Sequence, residues 1–455
     1  MEKIYKEENP LGCKPVTQLL RTLAIPAVVA NLVNALYNIV DQIFIGQGVG
    51  YLGNAATNIA FPIVTICLAI GLMIGIGSAS NFNLELGRGN PDKAKYTAGT
   101  AAGSLMIIGI LFCIFILTFL KPMMISFGAT EKILDYAMKY TGITSFGVPF
   151  LIFSIGMNPL VRADRSPKYS MIAIIAGAVL NTVLDPIFMF VFNMGIAGAA
   201  WATVLSQIVS AILLFLYFPR FKSIKLELKD LIPRFNIIRT IISLGISSFI
   251  FQFSTMLVQI TTNNLLKIYG SQSIYGSDIP IAVAGIVAKI NIIFIAAVIG
   301  IVQGAQPIFG YNYGAKNYKR VRETMRTLLT VIVIMSFIIF IIFQSFPVQI
   351  ISLFGSGSKL YFKFGIKYMR VFLLFIFING VQISAGTFFP AIGKPAKGVI
   401  ISFTKQIAIL LPLLFLLPRF IGVEGIIYAT PITDFISFII AVFFLINEFK
   451  NMPKN

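Results

Sequence analysis

The sequence predicts an all-α integral membrane protein in which twelve transmembrane helices form two six-helix halves. Hydrophobic residues make up 57% of the 455-residue chain, charged residues only 12%, and the mean hydropathy is +0.88. A soluble domain carries about a quarter charged residues, so this composition excludes a water-soluble fold. The few charges are also unevenly spaced, and several short motifs occur twice along the chain.

Long charge-free segments predict the individual helices. A helical span needs roughly 20 apolar residues, whereas the strands of a membrane barrel would alternate over segments of about ten residues. The runs without Asp, Glu, Lys or Arg are longer and continuous: Thr22–Val40, Tyr96–Leu120, Tyr140–Val161, Pro186–Pro219, Thr240–Leu266, Thr327–Ser358 and Val371–Gly393. We therefore predict helices over residues 17–45, 53–85, 95–120, 133–156, 168–192, 196–219, 238–267, 281–311, 323–346, 363–388, 396–417 and 424–448.

The loops between these helices differ in their basic residues. The N-terminus, every second loop and the C-terminus carry most of the loop lysines and arginines. Because cytoplasmic loops are enriched in Lys and Arg, we expect a multi-pass cell-membrane protein with both termini in the cytoplasm. The same asymmetry explains the net charge of +19 without nucleic acid as a partner.

Four matching motifs indicate an internal duplication. The segment Gly195–Thr203 matches Gly422–Thr430, and Gly87–Asn90 matches Gly314–Asn317, both at an offset of 227 residues. Leu23-Ala-Ile-Pro26 similarly matches Leu244-Gly-Ile-Ser247, and Ser166-Pro-Lys matches Lys394-Pro-Ala. We predict an N-terminal lobe over residues 1–220 and a C-terminal lobe over residues 221–455. An axis along the membrane normal would relate them, with a substrate site between.

Three motifs in the first half resemble those of the multidrug and toxic compound extrusion (MATE) transporters. They are Pro26 followed by Tyr37-Asn-Ile-Val-Asp41-Gln-Ile-Phe-Ile-Gly46, then Leu86-Gly-Arg-Gly-Asn90, and then Asn181-Thr-Val-Leu-Asp185-Pro186. The resemblance covers essentially the whole chain in order. It implies a V-shaped pair of lobes and the export of organic cations and other xenobiotics in antiport with H⁺ or Na⁺, a route to antibiotic resistance.

Acidic residues inside membrane helices are the first candidates for function because they are costly there. Three qualify: Asp41, Asp185 and Asp434. Asn181 precedes Asp185 by four residues, so both lie on one helical face, and Pro186 removes a backbone donor just after them. Carboxylate, amide and carbonyl oxygens are the ligands that hard cations prefer.

The resemblance implies that Asp41, Asn158, Asn181, Asp185 and Thr203 together form a cation site in the N-terminal lobe. Asp41, Asn181 and Asp185 are then the expected ligands of Na⁺, or the carboxylates the expected proton site. The alternative for Asn158 and Thr203 is that they only hydrogen-bond helices together. Pro26 lies about four helical turns before Asp41, and we expect it to act as a hinge.

The second lobe has a different set of charges. We expect Lys289 and Lys405 to be buried there, and Lys405 to form an ion pair with Asp434, because buried charges are usually paired. A structural pair and a transport role both remain open. Acidic residues that some relatives carry in helices 7 and 8 are absent from these helices, so a second cation site of that kind is in doubt.

The overall prediction is a monomeric secondary transporter without a cofactor, since the sequence has no nucleotide-binding or metal-enzyme motif. Two alternatives come from other classes. A lipid-linked oligosaccharide flippase also has two six-helix lobes but would favour a cationic cavity. An intramembrane enzyme such as a prenyltransferase would need Asp-rich Mg²⁺ motifs, which this sequence lacks. We therefore expect no enzymatic activity.

Overall fold

Helices dominate this computed structural model, which describes residues 9–276, 278–352 and 358–453. Among these residues, ten helices are long and apolar enough to cross a membrane, and two bent helix pairs raise the number to twelve. In chain order the spans are α1 Val16–Gly48, α2 Tyr51–Gly87, α3 Pro91–Thr118, α4 Glu131–Ser145 with Val148–Ala163, α5 Pro167–Pro186, α6 Ile196–Phe215, α7 Phe235–Ser271, α8 Asp278–Gly314, α9 Tyr318–Ser345, α10 Lys359–Phe372 with Ile376–Ala391, α11 Pro395–Phe403 with Leu411–Ile421, and α12 Val423–Asn451. The predicted all-α membrane fold is confirmed.

Two of the predicted helices are divided in the structure. The sequence predicts one helix over residues 133–156 and another over 363–388, but α4 bends by 56° and α10 by 46° at a short break. In α4 the second segment begins at Val148-Pro149. Proline has no amide hydrogen and is well tolerated in the first turn of a helix, so Pro149 favours a new helix start there.

Two other spans contain wider π-helical turns. Pro186 ends α5 and is followed by a π-helix at Ile187–Val191, and the π-helix Thr404–Leu410 joins the two parts of α11. Such turns are rare and occur frequently at functional sites. The first π-helix begins two residues after Asp185, and the second contains Lys405. Both irregular turns therefore adjoin buried charged residues.

Small residues bring the two lobes together through α2 and α7. The structure leaves no room for a side chain at Gly245 of α7, because its Cβ would overlap the carbonyl of Met73 on α2. Gly77 of α2 lies equally close to the carbonyl of Ile241. Helix α1 makes the other extensive contact between the lobes, against α8.

The first turns of α1 and α7 pack across the boundary between the lobes. Leu19, Leu20 and Leu23 of α1 belong to the hydrophobic core of the second lobe, whereas Ile241 of α7 belongs to that of the first. Nearby, Arg320 of the second lobe donates hydrogen bonds to the carbonyls of Leu11 and Lys14. The lobes are therefore interlocked at the end of the molecule that carries the basic loops.

The connection between the lobes packs on the first lobe. Phe221 and Ile224 join its hydrophobic core. The carboxylate of Asp164 accepts hydrogen bonds from the amides of Lys222 and Ser223 at 2.6 and 2.8 Å, and from the hydroxyl of Tyr217 at 2.6 Å. Residues 221–233 thus lie with the first lobe, although the sequence assigns them to the second.

We predict that Gly75→Ala destabilises the first lobe. A Cβ on Gly75 of α2 would lie 2.6 Å from the carbonyl oxygen of Gly156 on α4, so the helices must separate, at a cost of about 1–3 kcal/mol. The control is Gly285→Ala in α8, where a Cβ meets no atom within 4 Å. Its better helix propensity should keep or raise stability by up to about 1 kcal/mol. Unfolding temperatures of the purified variants test this, and equal temperatures for both would contradict the packing argument.

Candidate cation-coupling site

Two carboxylic acids from different helices meet inside the first lobe. Asp41 lies on α1 and Asp185 in the last turn of α5, and these helices pack against each other along much of their length. The two carboxyl groups are close enough to interact with each other directly. Asp185 is completely buried and Asp41 is half-buried. Two adjacent carboxylates in a low dielectric resist simultaneous ionisation, so this pair favours a bound proton or cation.

Asn181 and Thr203 complete a polar cluster around Asp185. The amide of Asn181 is 3.3 Å from Oδ1 of Asp185 and 3.4 Å from Oγ1 of Thr203, to both of which it donates. Asn181 is one turn before Asp185 on α5, and Thr203 lies on the neighbouring helix α6. The structure therefore brings Asp41, Asn181, Asp185 and Thr203 into one place.

Among the residues that the structure describes, three oxygens of this cluster have no hydrogen-bond donor. They are Oδ1 of Asp41, Oδ1 of Asn181 and Oδ2 of Asp185, and all are buried. Buried polar atoms are almost always paired, and an unpaired one calls for an explanation such as an ion or a water. Two carboxylates and an amide oxygen form a donor set that suits a hard monovalent cation, and either carboxylate can instead hold a proton.

Two tyrosines belong to the same cluster, and the sequence analysis did not single them out. Tyr37 precedes Asp41 by one turn on α1, and Tyr140 of α4 interacts with Thr203. Both phenol groups are near enough to the two carboxyl groups to interact with them electrostatically. The four-residue spacing of Tyr37 and Asp41 places them on one helical face and could have identified Tyr37. Nothing in the sequence marks Tyr140.

A cavity of about 180 Å³ extends from this cluster through the first lobe. Its walls are mostly neutral polar groups and small apolar groups, and Asn181 and Thr203 lie in the wall. Other polar lining side chains come from α1, α4, α6 and one helix of the second lobe: Asn31, Asn34, Tyr37, Asn158, Arg162, Ser206, Gln207 and Gln303. Asn181 and Thr203 therefore connect the acid cluster to a polar cavity in the lobe interior.

Asn158 lies apart from the acid cluster, although the family resemblance implies that it is part of it. Its amide donates to the carbonyl of Ser154 at 3.2 Å, and its side-chain oxygen accepts from the hydroxyl of Ser170. Ser170 is 11 residues before Asn181 on α5, or about 16 Å along a helix. Asn158 lines the same cavity as Asn181 but in a different part.

The second lobe contains the ion pair that the sequence predicts. Nζ of Lys405 is 2.9 Å from Oδ1 of Asp434. The same ammonium donates to the side-chain oxygens of Asn379 at 2.8 Å and Gln382 at 3.0 Å. Both charged side chains are buried, so Lys405 has a carboxylate and two amide oxygens as partners.

The expectation that Lys289 is buried is wrong. Lys289 is exposed on α8. It lies 7 residues before Ala296 and 14 before Gln303, and such spacings keep residues on nearly the same helical face. Asn31 of α1 donates to both Ala296 and Gln303. The face of α8 that contacts α1 at Gln303 is therefore uncovered at Lys289, which explains the exposure.

Pro26 is buried within α1, and the helix continues through it as one element. Proline removes the amide hydrogen that would bond to the preceding turn. The adjacent residues Ala24 and Val28 contact the backbone of Gly304 and Gly300 on α8. The weakened turn is thus located where α1 meets the second lobe.

Comparison with known proteins gives consistent matches over nearly the whole chain. The family model described as MatE matches residues 26–187 and 246–416. The multidrug export proteins MepA of Staphylococcus haemolyticus (strain JCSC1435) and Staphylococcus aureus (strain NCTC 8325 / PS 47) are each 22% identical. The first match covers 92% of this chain and 91% of the relative, and the second 95% and 93%.

Solved structures match the fold equally well. An outward-facing multidrug-resistance MATE transporter superposes with a TM-score of 0.89 at 21% identity, covering 97% of both chains. A transporter of the MOP superfamily from Pyrococcus furiosus, described as having a binding pocket of reverse polarity, gives a TM-score of 0.89 at 21% identity over 98% of both chains. The two-lobe arrangement predicted from the internal repeat is confirmed.

We predict that Lys405→Met and Asp434→Asn each lower the stability of the purified protein by roughly 3–5 kcal/mol, because each leaves the other charge buried and unpaired. The double variant should regain part of the loss. Lys289→Met, which removes an exposed lysine from α8, serves as the control and should change stability little. Strictly additive losses in the double-mutant cycle would show that the pair does not interact energetically.

Proposed function

Because the chain belongs to the MatE family, we propose that it is a multidrug exporter that expels organic cations in exchange for H⁺ or Na⁺. The proposal places it in the cell membrane with both termini in the cytoplasm, working without a cofactor as a monomer. The basic loops between alternate helices support that orientation. The matches to MepA multidrug export proteins over more than 90% of the chain favour drug export over the lipid flippase alternative.

The observation that carries the coupling proposal is the set of three unpaired oxygens on Asp41, Asn181 and Asp185. A cation bound there would receive two carboxylates and one amide oxygen, and Thr203 would orient Asn181 through its hydrogen bond. A proton shared by the two carboxyl groups would satisfy the same geometry. Either ligand cancels a negative charge that costs free energy in a low dielectric.

Exchange follows from competition for that charge. While the acid pair is occupied by H⁺ or Na⁺, the cavity has no net negative charge to hold an organic cation. Release of the ion restores the negative charge of the acid pair and favours binding of the drug, so the ion and the drug do not bind together. Transport in opposite directions requires only that the lobe interior opens alternately to each side.

Pro26 is the proposed mechanical link. It lies 15 residues before Asp41 on α1, at the contact with α8. A change in charge at Asp41 changes the forces on α1, and a helix without one backbone hydrogen bond bends most easily at that turn. Bending there would move α1 against the second lobe.

We predict that Asp41→Asn and Asp185→Asn each abolish gradient-driven export, because asparagine keeps the shape but cannot titrate. Asn181→Ala should weaken coupling less, since it removes a ligand without changing charge. Purified variants in liposomes, with an imposed pH or Na⁺ gradient and a fluorescent organic cation, provide the measurement. Asp92→Asn, which neutralises an exposed acid at the start of α3, is the matched control and should transport normally.

If the variant with both Asp41→Asn and Asp185→Asn still accumulates dye with the wild-type response to Na⁺ or pH, the coupling site lies elsewhere. Asp434 would then be the next candidate. If only the pH gradient drives the wild-type protein, the coupling ion is H⁺; if only the Na⁺ gradient does, it is Na⁺.

A further inference from the structure

The cavity of the first lobe contains a buried cation that the coupling mechanism does not use. Arg162 lies near the end of α4, is only 5% exposed and lines the cavity. Within the part of the chain that the structure describes, its guanidinium donates one hydrogen bond, from Nη1 to Oγ of Ser170, at 3.4 Å. A guanidinium has five N–H donors, so most of its hydrogen-bonding capacity is not used by these residues.

No carboxylate among the described residues neutralises Arg162. The eight ion pairs within residues 9–276, 278–352 and 358–453 do not include it. The nearest acid in sequence, Asp164, is occupied by the hydroxyl of Tyr217 and the amides of Lys222 and Ser223. A buried charge without a partner is costly, so its retention calls for a compensating ligand.

The acid pair is too distant to be that partner. Ser170, which Arg162 contacts, precedes Asp185 by 15 residues on α5, or on the order of 20 Å along the helix. The part of the cavity wall at Asn181 and Thr203 therefore adjoins the acid pair, whereas Arg162 lies in another part of the wall. The position of Arg162 near a helix C-terminus offers some favourable interaction with the helix dipole, but it supplies no partner for the N–H donors that do not bond to Ser170.

The cavity wall beside Arg162 is polar. Ser154, Asn158 and Arg162 are spaced four residues apart, so they form one stripe on α4, and all three line the cavity. Ser154 is eight residues before Arg162, or about 12 Å along the helix, which leaves the guanidinium as the charged donor of this stripe. A guanidinium suits a small anionic group, because its N–H donors match carboxylate and similar acceptors.

We propose that Arg162 forms an anion site in the wall of this cavity. Its ligand is a carboxylate carried by a zwitterionic substrate or a free inorganic anion such as chloride. The zwitterion case rests on the proposed export function and assigns Arg162 as the residue that holds the carboxylate of such a substrate. The free-anion case does not depend on export.

The test compares two dyes that differ only at a carboxyl group. Rhodamine 110 carries a free carboxylate, and rhodamine 123 is its methyl ester. Fluorescence polarisation with purified protein in chloride-free gluconate buffer measures the Kd of each dye for wild type, Arg162→Gln and Arg162→Lys. Arg239→Gln, which removes an exposed arginine near the start of α7, is the control. Gel filtration and unfolding temperature check that each variant is folded.

For a zwitterion site, Arg162→Gln should raise the Kd of rhodamine 110 about tenfold or more, which corresponds to the loss of a charged hydrogen bond. The Kd of rhodamine 123 should change less than twofold. Arg162→Lys should retain part of the affinity, and Arg239→Gln all of it. For a free-anion site, chloride should raise the unfolding temperature of wild type but not of Arg162→Gln. Equal losses for both dyes, or no loss for either, together with no chloride effect, would overturn the proposal.

Failure of the export proposal has a different signature. If wild type binds neither dye, the proposed export of cations is in question, while the effect of chloride on unfolding temperature still decides whether Arg162 binds an anion.

Discussion

The cost of burying two carboxyl groups side by side is the constraint on which the proposed mechanism depends. Asp41 and Asp185 meet between α1 and α5 with unpaired oxygens, and hydrocarbon surrounds the lobe that holds them. In such surroundings two ionised carboxylates are strongly unfavourable. Binding of a proton or a cation to the pair therefore stabilises the lobe. In the proposed mechanism the pair responds to H⁺ or Na⁺, and this response would link an ion gradient to the shape of the protein.

Packing determines which parts of the molecule can respond. Glycines let α2 and α7 meet at backbone distance, and the first turns of α1 and α7 are each embedded in the core of the opposite lobe. The lobes are thus tightly joined at one end, while Lys289 on α8 is exposed towards the other. In the second lobe the ion pair of Lys405 and Asp434 neutralises itself with two amides. In the described part of the first lobe, by contrast, Asp41, Asp185 and Arg162 are in none of the ion pairs.

Much of this arrangement could be predicted from the sequence, since membrane burial makes charged residues rare and informative. The charge-free runs predicted the twelve spans, and the repeat predicted two lobes. Because buried charges are usually paired, their expected burial was enough to predict the ion pair of Lys405 and Asp434. The meeting of Asp41 with Asp185 depended on family resemblance, because the two residues are 144 positions apart and no periodicity relates them.

The remaining features depend on three-dimensional packing. Tyr140 lies in the first segment of α4, and the bend after this segment divides a stretch of the sequence whose hydrophobicity is continuous. Lys289 was expected to be buried because hydropathy cannot distinguish a packed helix face from an uncovered one. Asn158 lines the cavity that adjoins the acid cluster, but its side chain accepts a hydrogen bond from Ser170. A linear sequence does not show this contact. Arg162 was overlooked because its position near a helix end is typical of an interfacial arginine.

The most direct test of the central claim is the linkage between drug and ion at equilibrium. The Kd of an organic cation for the purified protein should be measured across a series of pH values and of Na⁺ concentrations. If one ion leaves the acid pair as the drug binds, the Kd should change about tenfold for each tenfold change in the coupling ion, as reciprocal linkage requires. The same series with Asp41→Asn/Asp185→Asn protein should show no dependence. A wild-type Kd that is independent of both pH and Na⁺ would contradict the account.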